Sequence, residues 1–276
     1  MVPNLTILCC CISLILSLFL PPIIGVLFAR KHKGEKLMVA WLLGAAGFFV
    51  TQLLIRVPIL SWLQTQSWFV TFSQNHLFLY AFTLAFSAGL FELTGRFGVA
   101  KLMKNLNFRR SLAAGLGHGG IEAMILVGIT YINNLAYIAM INAGIFDSTL
   151  AEAAAMGVDV SQLYLIRDSL ISTNPVLFLL GGFERVLAMI CHAGMTMVVC
   201  YGLRRGKPLQ GALISLGIHT LIDLTAGINL LAGNALSQTA AYVMIYALLL
   251  AAAIISISII RKIRRRWPET EVSHDF

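Results

Sequence analysis

The sequence predicts an all-α, polytopic membrane protein built as a bundle of seven transmembrane helices. Hydrophobic residues make up 58% of its 276 residues and charged residues only 12%, whereas soluble globular domains have about 25% charged residues. Mean hydropathy is +0.84. Seven segments also approach or exceed the roughly 20 mostly apolar residues that a membrane-crossing helix needs. Because so few polar residues could face water, a soluble globular protein is excluded.

Charged residues and helix-start signals delimit the predicted spans. The first three apolar runs stop at Arg30, Arg56 and Lys101. The fifth begins at Pro175 after Asn174, a pair typical of a helix N-cap and first helical position. The predicted spans are at about 5–29, 37–55, 76–100, 111–131, 175–201, 209–231 and 237–260.

The segment at about 132–174 is the only long connection between these spans. It is rich in acidic residues, with Arg167 as its single basic residue, and it contains an Ala- and Met-rich piece that could form a short helix. Loops of this length are usually functional or disordered. We predict a long external loop here, within a single integral membrane domain that covers residues 1–276.

The distribution of basic residues predicts the orientation of the bundle. Most of the 20 Lys and Arg residues lie after alternate spans, at 30–36, 101–110, 204–207 and 261–266. Cytoplasmic loops carry such an excess of Lys and Arg. The N-terminus is therefore predicted outside and the C-terminus in the cytoplasm. Because the net charge of +8 resides in these loops, it predicts contact with membrane lipid and no nucleic-acid partner.

The stretch GLGHGG, at 115–120, matches the G-x-G-x-x-G spacing of a dinucleotide-binding turn. That motif requires a preceding β-strand within a βαβ unit, and here the glycines lead into a hydrophobic helix instead. We therefore predict no nucleotide cofactor. Gly115 and Gly119 form a small-xxx-small pair, which indicates close packing between membrane helices.

Ionisable residues inside the spans indicate a functional interior. Each costs about 2.5–3.5 kcal/mol at the centre of a membrane helix even on the lenient insertion scale. Several are paired four residues apart, so each pair shares one helix face. We predict a polar interior shared by four helices and interpret Glu184 and Arg185, toward the outer side, as structural. The nine residues are Glu92, Arg96, His118, Glu122, Glu184, Arg185, His192, His219 and Asp223.

Four motifs, in this order, identify a family resemblance: FELTGRF (91–97), GLGHGGIEA (115–123), FERVLAMICH (183–192) and HTLID (219–223). The set resembles the YhfC family of intramembrane metalloproteases. That family belongs to the superfamily of CAAX-type prenyl endopeptidases, which includes the seven-helix scaffold subunit of γ-secretase. The resemblance implies an intramembrane endopeptidase of a bacterial plasma membrane, acting on a membrane-embedded peptide or protein.

The resemblance also implies which residues act. Glu92 and Arg96 match an E-x-x-x-R motif, but the second, adjacent glutamate of the superfamily is missing, since Phe91 precedes Glu92 and Leu93 follows it. The identity of the catalytic carboxylate is thus open. The implied catalytic residues are Glu92, Arg96, His118, Glu122, His192, His219 and Asp223.

Physical chemistry gives these residues candidate roles. Removing a carboxylate from water disfavours its charged form, so a buried glutamate can act as a general base near neutral pH. Glu92 or Glu122 could be that base, with histidine assistance. Three histidines and a carboxylate also satisfy the ligand preferences of Zn²⁺, although H-E-x-x-H is absent. The candidate metal ligands are His118, Glu122, His192 and His219.

Two other functions remain open from the sequence. A non-catalytic scaffold could use the same polar cluster to bind a partner transmembrane helix. A proton- or ion-coupled transporter would also need buried carboxylates and histidines, although no internal repeat of the kind common in transporters is present.

Overall fold

Helices account for all the regular secondary structure in the computed structural model, which describes residues 1–103, 105–227 and 237–267. The prediction of an all-α protein is therefore confirmed for this part of the chain. The helices are α1 (Asn4–Lys31), α2 (Leu37–Gln64), α3 (Ser67–Asn75), α4 (Leu77–Leu102), α5 (Phe108–Asn142), α6 (Phe146–Ala155), α7 (Ser161–Ser172), α8 (Pro175–Arg204), α9 (Pro208–Ala226) and α10 (Gln238–Arg266).

Six of these helices are long and apolar enough to cross a membrane: α1, α2, α4, α5, α8 and α10. This confirms an integral membrane protein. The predicted span at 209–231 corresponds to α9, which has 19 residues and is not among the six. The end of that span, at 228–231, lies outside the described residues, as does Lys104 of the predicted basic cluster at 101–110.

Helix α2 continues nine residues beyond the predicted end of its span at residue 55. The part of α2 that contains Arg56 is a π-helix, Phe49–Arg56, and Pro58 follows two residues after it. The Arg56 guanidinium bonds the Ser87 hydroxyl at 3.1 Å and the Leu84 carbonyl at 2.7 Å. Arg56 therefore lies within a helix because its charge is satisfied by α4.

Helix is also present over most of the predicted external loop at 132–174. Helix α5 extends to Asn142, and α6 and α7 follow it. The fourth span was predicted to end near residue 131, and Asn133 and Asn134 interrupt the apolar run just after that point. The helix continues because Ile138 is buried in an apolar cluster with Cys10 and Leu170, and such tertiary packing overrides local polarity.

Contacts group the chain into two compact units, and the prediction of a single domain stays a prediction. The first unit comprises Met1–Pro22 and Ala123–Val186. In its core the Tyr131 hydroxyl donates to the Phe178 carbonyl at 2.5 Å. A Cβ on Gly182 would lie 2.6 Å from the Ser13 Cα, so α8 and α1 approach closely there.

The second unit comprises Ile23–Glu122 and Leu187–Phe276. Its tightest contact joins α2 and α5. A Cβ on Gly44 would lie 1.9 Å from the Ala114 carbonyl oxygen, and a Cβ on Gly117 would lie 1.9 Å from the Trp41 carbonyl oxygen. On α8, the Ala193 Cα would be 2.7 Å from a Cβ on Gly115. These contacts confirm, for Gly115 and Gly117, the prediction that the glycines of this stretch permit close helix packing.

Candidate active site

All seven implied catalytic residues lie in the second unit, on four helices: α4, α5, α8 and α9. A chain of contacts shorter than 4 Å connects all seven side chains into one cluster, which we call the Glu92 cluster. Its members are Glu92, Arg96, His118, Glu122, His192, His219 and Asp223.

The Glu92 carboxylate lies at the centre of this cluster. Its Oε2 atom is 2.9 Å from Arg96 Nη2 and 2.9 Å from His118 Nε2. The same oxygen lies 3.4 Å from His192 Nδ1 and 3.5 Å from His219 Nδ1. Glu92 is only 4% exposed. A buried carboxylate requires such partners, because an unpaired charge at this depth would cost several kcal/mol.

Contacts with Arg96 fix the tautomer of His192. Arg96 Nη2 lies 2.8 Å from His192 Nδ1, and a guanidinium can only donate. His192 Nδ1 is therefore the acceptor, and the ring carries its proton on Nε2. That Nε2 lies 2.5 Å from Glu122 Oε2, so His192 contacts Arg96 and Glu122 through its two ring nitrogens. The His192 imidazole thus lies between the Arg96 guanidinium and the Glu122 carboxylate.

Asp223 is the most accessible member of the cluster. His219 Nε2 is 3.2 Å from Asp223 Oδ2, and the Asp223 side chain is 36% exposed. The Glu122 side chain is 13% exposed. Since Glu92 and His118 are almost completely buried, the cluster is accessible only through Asp223 and, to a smaller extent, Glu122.

Two members of the polar interior, Gln52 and Arg56, were not predicted from the sequence. Gln52 Nε2 donates to Glu92 Oε1 at 2.8 Å and to the Ala88 carbonyl at 3.2 Å, and Gln52 Oε1 accepts from Arg56 Nη1 at 3.2 Å. Gln52 and Arg56 are polar and four residues apart in an apolar run, the spacing of the recognised pairs. Because the second span was predicted to end at residue 55, Arg56 was not counted among the ionisable residues inside the spans.

Spacing of four residues did not by itself predict which side chains meet. Glu92 bonds Arg96, and His219 contacts Asp223, as their shared helix faces indicate. His118 and Glu122 are also one turn apart, yet His118 contacts Glu92 and Glu122 contacts His192. Glu184 and Arg185, interpreted as structural, form an ion pair with each other.

Glycines let the histidine-bearing helices approach. A Cβ on Gly119 of α5 would lie 2.9 Å from the His192 Cβ, and one on Gly89 of α4 would lie 3.3 Å from the His219 Cβ. The short α5–α8 and α4–α9 separations thus bring both imidazoles within reach of one carboxylate.

Donor atoms of Glu92, His118 and His192 lie within 4.8 Å of one another and are buried. Two histidines and one glutamate are a ligand set of catalytic zinc sites, so these residues fit the metal by type and proximity. The set contains two of the four predicted ligands. The carboxylate of this set is Glu92, whereas Glu122 was the predicted ligand. His192 Nδ1 faces Glu92, and Glu122 lies on the other side of the ring, at Nε2. Arg96 Nη2 bonds two of these donor atoms, so a metal there would displace the guanidinium.

Comparison with known proteins finds relatives whose similarity covers the candidate site. A profile described as YhfC intramembrane metalloprotease matches residues 16–247, which include the whole Glu92 cluster. The uncharacterized membrane protein YhfC of Bacillus subtilis (strain 168) is 29% identical over 211 residues, which are 75% of this chain and 79% of the relative. No solved structure matches the chain.

Proposed function

The chain belongs to the YhfC intramembrane metalloprotease family, and from this premise we propose that it is an intramembrane endopeptidase. Its substrates are peptides or proteins embedded in the membrane, and it hydrolyses their peptide bonds within or near the bilayer of a bacterial plasma membrane. The observation that carries the proposal is the Glu92 cluster, in which a guanidinium and three imidazoles surround one buried carboxylate.

Glu122 is the proposed general base. Both oxygens of Glu92 are engaged, Oε1 by Gln52 and Oε2 by Arg96 and His118. Glu122 is more exposed than Glu92, and its Oε2 atom contacts the His192 imidazole at 2.5 Å. In the proposed step Glu122 takes a proton from the attacking water, whose oxygen bonds the scissile carbonyl carbon. The proton then passes to the leaving amine as the C–N bond breaks.

The negative charge that develops on the substrate oxygen is assigned to two groups. His219 Nε2 contacts Asp223 at 3.2 Å, and this N–H can turn to the oxyanion, because the bond it would give up is long. Arg96 contributes positive charge and keeps the proton of His192 on Nε2. Preorganised donors of this kind contribute about 3–4 kcal/mol each in known enzymes.

Zn²⁺ is the proposed metal, and Glu92, His118 and His192 are the residues that would hold it. Bound there, it would supply a Lewis acid that polarises the scissile carbonyl. Arg96 would then have to release Glu92 Oε2 and His192 Nδ1, which it bonds in this structure.

For the topology we propose seven spans, with α9 as the sixth to cross, the N-terminus outside and the C-terminus in the cytoplasm. Basic residues after alternate spans support this orientation. Helix α9 also carries His219 and Asp223 of the Glu92 cluster. A helix that contributes to a site shared with three apolar helices belongs at the same membrane depth as they do.

A non-catalytic scaffold is the second candidate function. The observation in its favour is that every oxygen of Glu92 has a partner within the chain, as expected of a network that only holds helices together. A scaffold would bind a partner helix through the more exposed Asp223 side and cleave nothing.

The test uses the purified full chain in liposomes with a panel of single-span bacterial peptides, and fragments are detected by mass spectrometry. We expect cleavage by wild type and a loss of about 100-fold or more in Glu122→Gln, since general bases contribute 10²–10⁴-fold. Glu184→Gln, which removes a carboxylate outside the cluster, is the matched control and should cleave normally. Full cleavage by folded Glu122→Gln would disprove the assigned base. Absence of cleavage by wild type, with retention of a peptide, would indicate a scaffold.

A further inference from the structure

A cavity of about 890 Å³ lies in the second unit, and no residue of the Glu92 cluster lines it. Four basic side chains from four different helices surround it: Lys31 of α1, Arg109 of α5, Arg204 of α8 and Arg264 of α10. Among the described residues that line the cavity, Glu35 is the one acidic residue, and it pairs with Arg109. The lining thus carries a clear excess of positive charge.

One wall of the cavity is apolar and well packed. The Trp267 and Phe108 rings lie edge to face with their centroids 6.0 Å apart. Both rings pack against a buried cluster that includes Met197 and Ile263. The cavity therefore offers a positive side and an aromatic side to the same ligand.

Basic residues at helix ends are general in membrane proteins and do not by themselves form a site. This cavity differs from such a surface in two respects. Its charges come from four separate helices that meet at one cavity, whereas Arg261, Lys262, Arg265 and Arg266 all lie on α10. Among the described residues, moreover, neither Lys31 nor Arg264 forms an ion pair.

We propose that this cavity binds the phosphate group of an anionic amphiphile. Guanidinium and ammonium groups are the preferred protein ligands of phosphate, and basic pockets between membrane helices bind lipid head groups. The phosphate lies between Lys31, Arg204 and Arg264, and the apolar part of the ligand lies against Phe108 and Trp267. The volume suits a head group, since small-molecule pockets span about 300–1,000 Å³.

The phosphate can come from a membrane lipid or from a soluble ester, and the experiment separates these sources. The full chain, purified in detergent, is titrated with phosphatidylglycerol and separately with glycerol 3-phosphate, and bound ligand is measured by native mass spectrometry. The test variant is Lys31→Gln/Arg264→Gln. The matched control, Arg261→Gln/Lys262→Gln, removes the same charge from outside the cavity.

In the test variant we expect phosphatidylglycerol affinity to fall about 25-fold, because each basic side chain near anionic lipid contributes about fivefold. The control pair should retain affinity within about fivefold of wild type.

Binding of glycerol 3-phosphate that the test variant alone loses would also support the site and would assign it to a soluble ester. Equal losses in both variants would mean general attraction to the basic surface and would overturn the proposal. Binding of neither ligand by wild type would overturn it as well. Unchanged elution and melting temperature establish that both variants are folded.

Discussion

Polar side chains from five helices surround the Glu92 carboxylate. Arg96 lies on its own helix, α4, while the other four side chains reach it from α2, α5, α8 and α9: Gln52, His118, His192 and His219. Breaking a buried ion pair by removing one partner typically costs about 3–5 kcal/mol. At this scale, the most informative residue is Arg96, because its guanidinium contacts the donor atoms that a metal would need.

Replacing Arg96 with Gln should increase stabilisation by zinc. The change removes a cation that bonds Glu92 Oε2 and His192 Nδ1 and leaves the carboxylate in need of a positive partner. We expect added ZnCl₂ to raise the melting temperature of Arg96→Gln more than that of wild type, since a ligand that binds only the folded state stabilises it. A 10-fold tighter Kd corresponds to about 1.4 kcal/mol at saturating zinc.

Arg185→Gln serves as the control for this measurement, because Arg185 pairs with Glu184 outside the Glu92 cluster. Its zinc response should equal that of wild type. If zinc leaves the melting temperature of Arg96→Gln unchanged, Glu92, His118 and His192 do not hold the metal.

At the scale of helices, glycines decide how closely the elements pack. Gly44 and Gly117 place the backbones of α2 and α5 in direct contact, and Gly115 and Gly119 do the same for α5 and α8. Lipid provides little hydrophobic driving force between helices, so this backbone contact is a main source of association. In this packed arrangement His118 of α5 lies 2.9 Å from Glu92 of α4.

Gly117→Ala should therefore separate α2 from α5. Its Cβ would lie 1.9 Å from a backbone oxygen of Trp41, and the backbone cannot move aside as a flexible side chain can. We expect a loss of stability of about 1–3 kcal/mol or more, typical of overpacking, measured by thermal unfolding in detergent. Gly98→Ala is the matched control, because nothing lies within 4 Å of its Cβ position and alanine favours the helix by up to about 1 kcal/mol. Equal stability of the two variants would contradict this account of the α2–α5 contact.

For the whole molecule, the number of spans determines on which side each terminus lies. Six helices meet the length and composition of a membrane span, and six crossings would place both termini on one side. The proposed crossing by α9 makes seven and places the termini on opposite sides. Because loops rich in Lys and Arg lie in the cytoplasm, the N-terminus is then outside.

Tags at the two termini distinguish these topologies. In intact bacterial cells, we expect an N-terminal epitope to bind antibody and a C-terminal epitope to bind only after permeabilisation. Insertions at Gly144 and Gly206, both in turns with positive φ, should label outside and inside respectively. The same accessibility for both termini would exclude seven spans.

Composition and spacing are enough to predict the membrane class, the helical secondary structure and the packing role of the glycines, because these are local properties of the chain. The sequence also selected seven residues that the structure joins in one cluster. Only the tertiary structure decided that Glu92 is central, that Gln52 and Arg56 belong to the polar interior, and that His118 and Glu122 meet different partners. The physical reason is that spacing along a chain fixes the face of one helix. Rotation and separation between helices, set by backbone contacts such as Gly117 with Trp41, decide which atoms come within bonding distance.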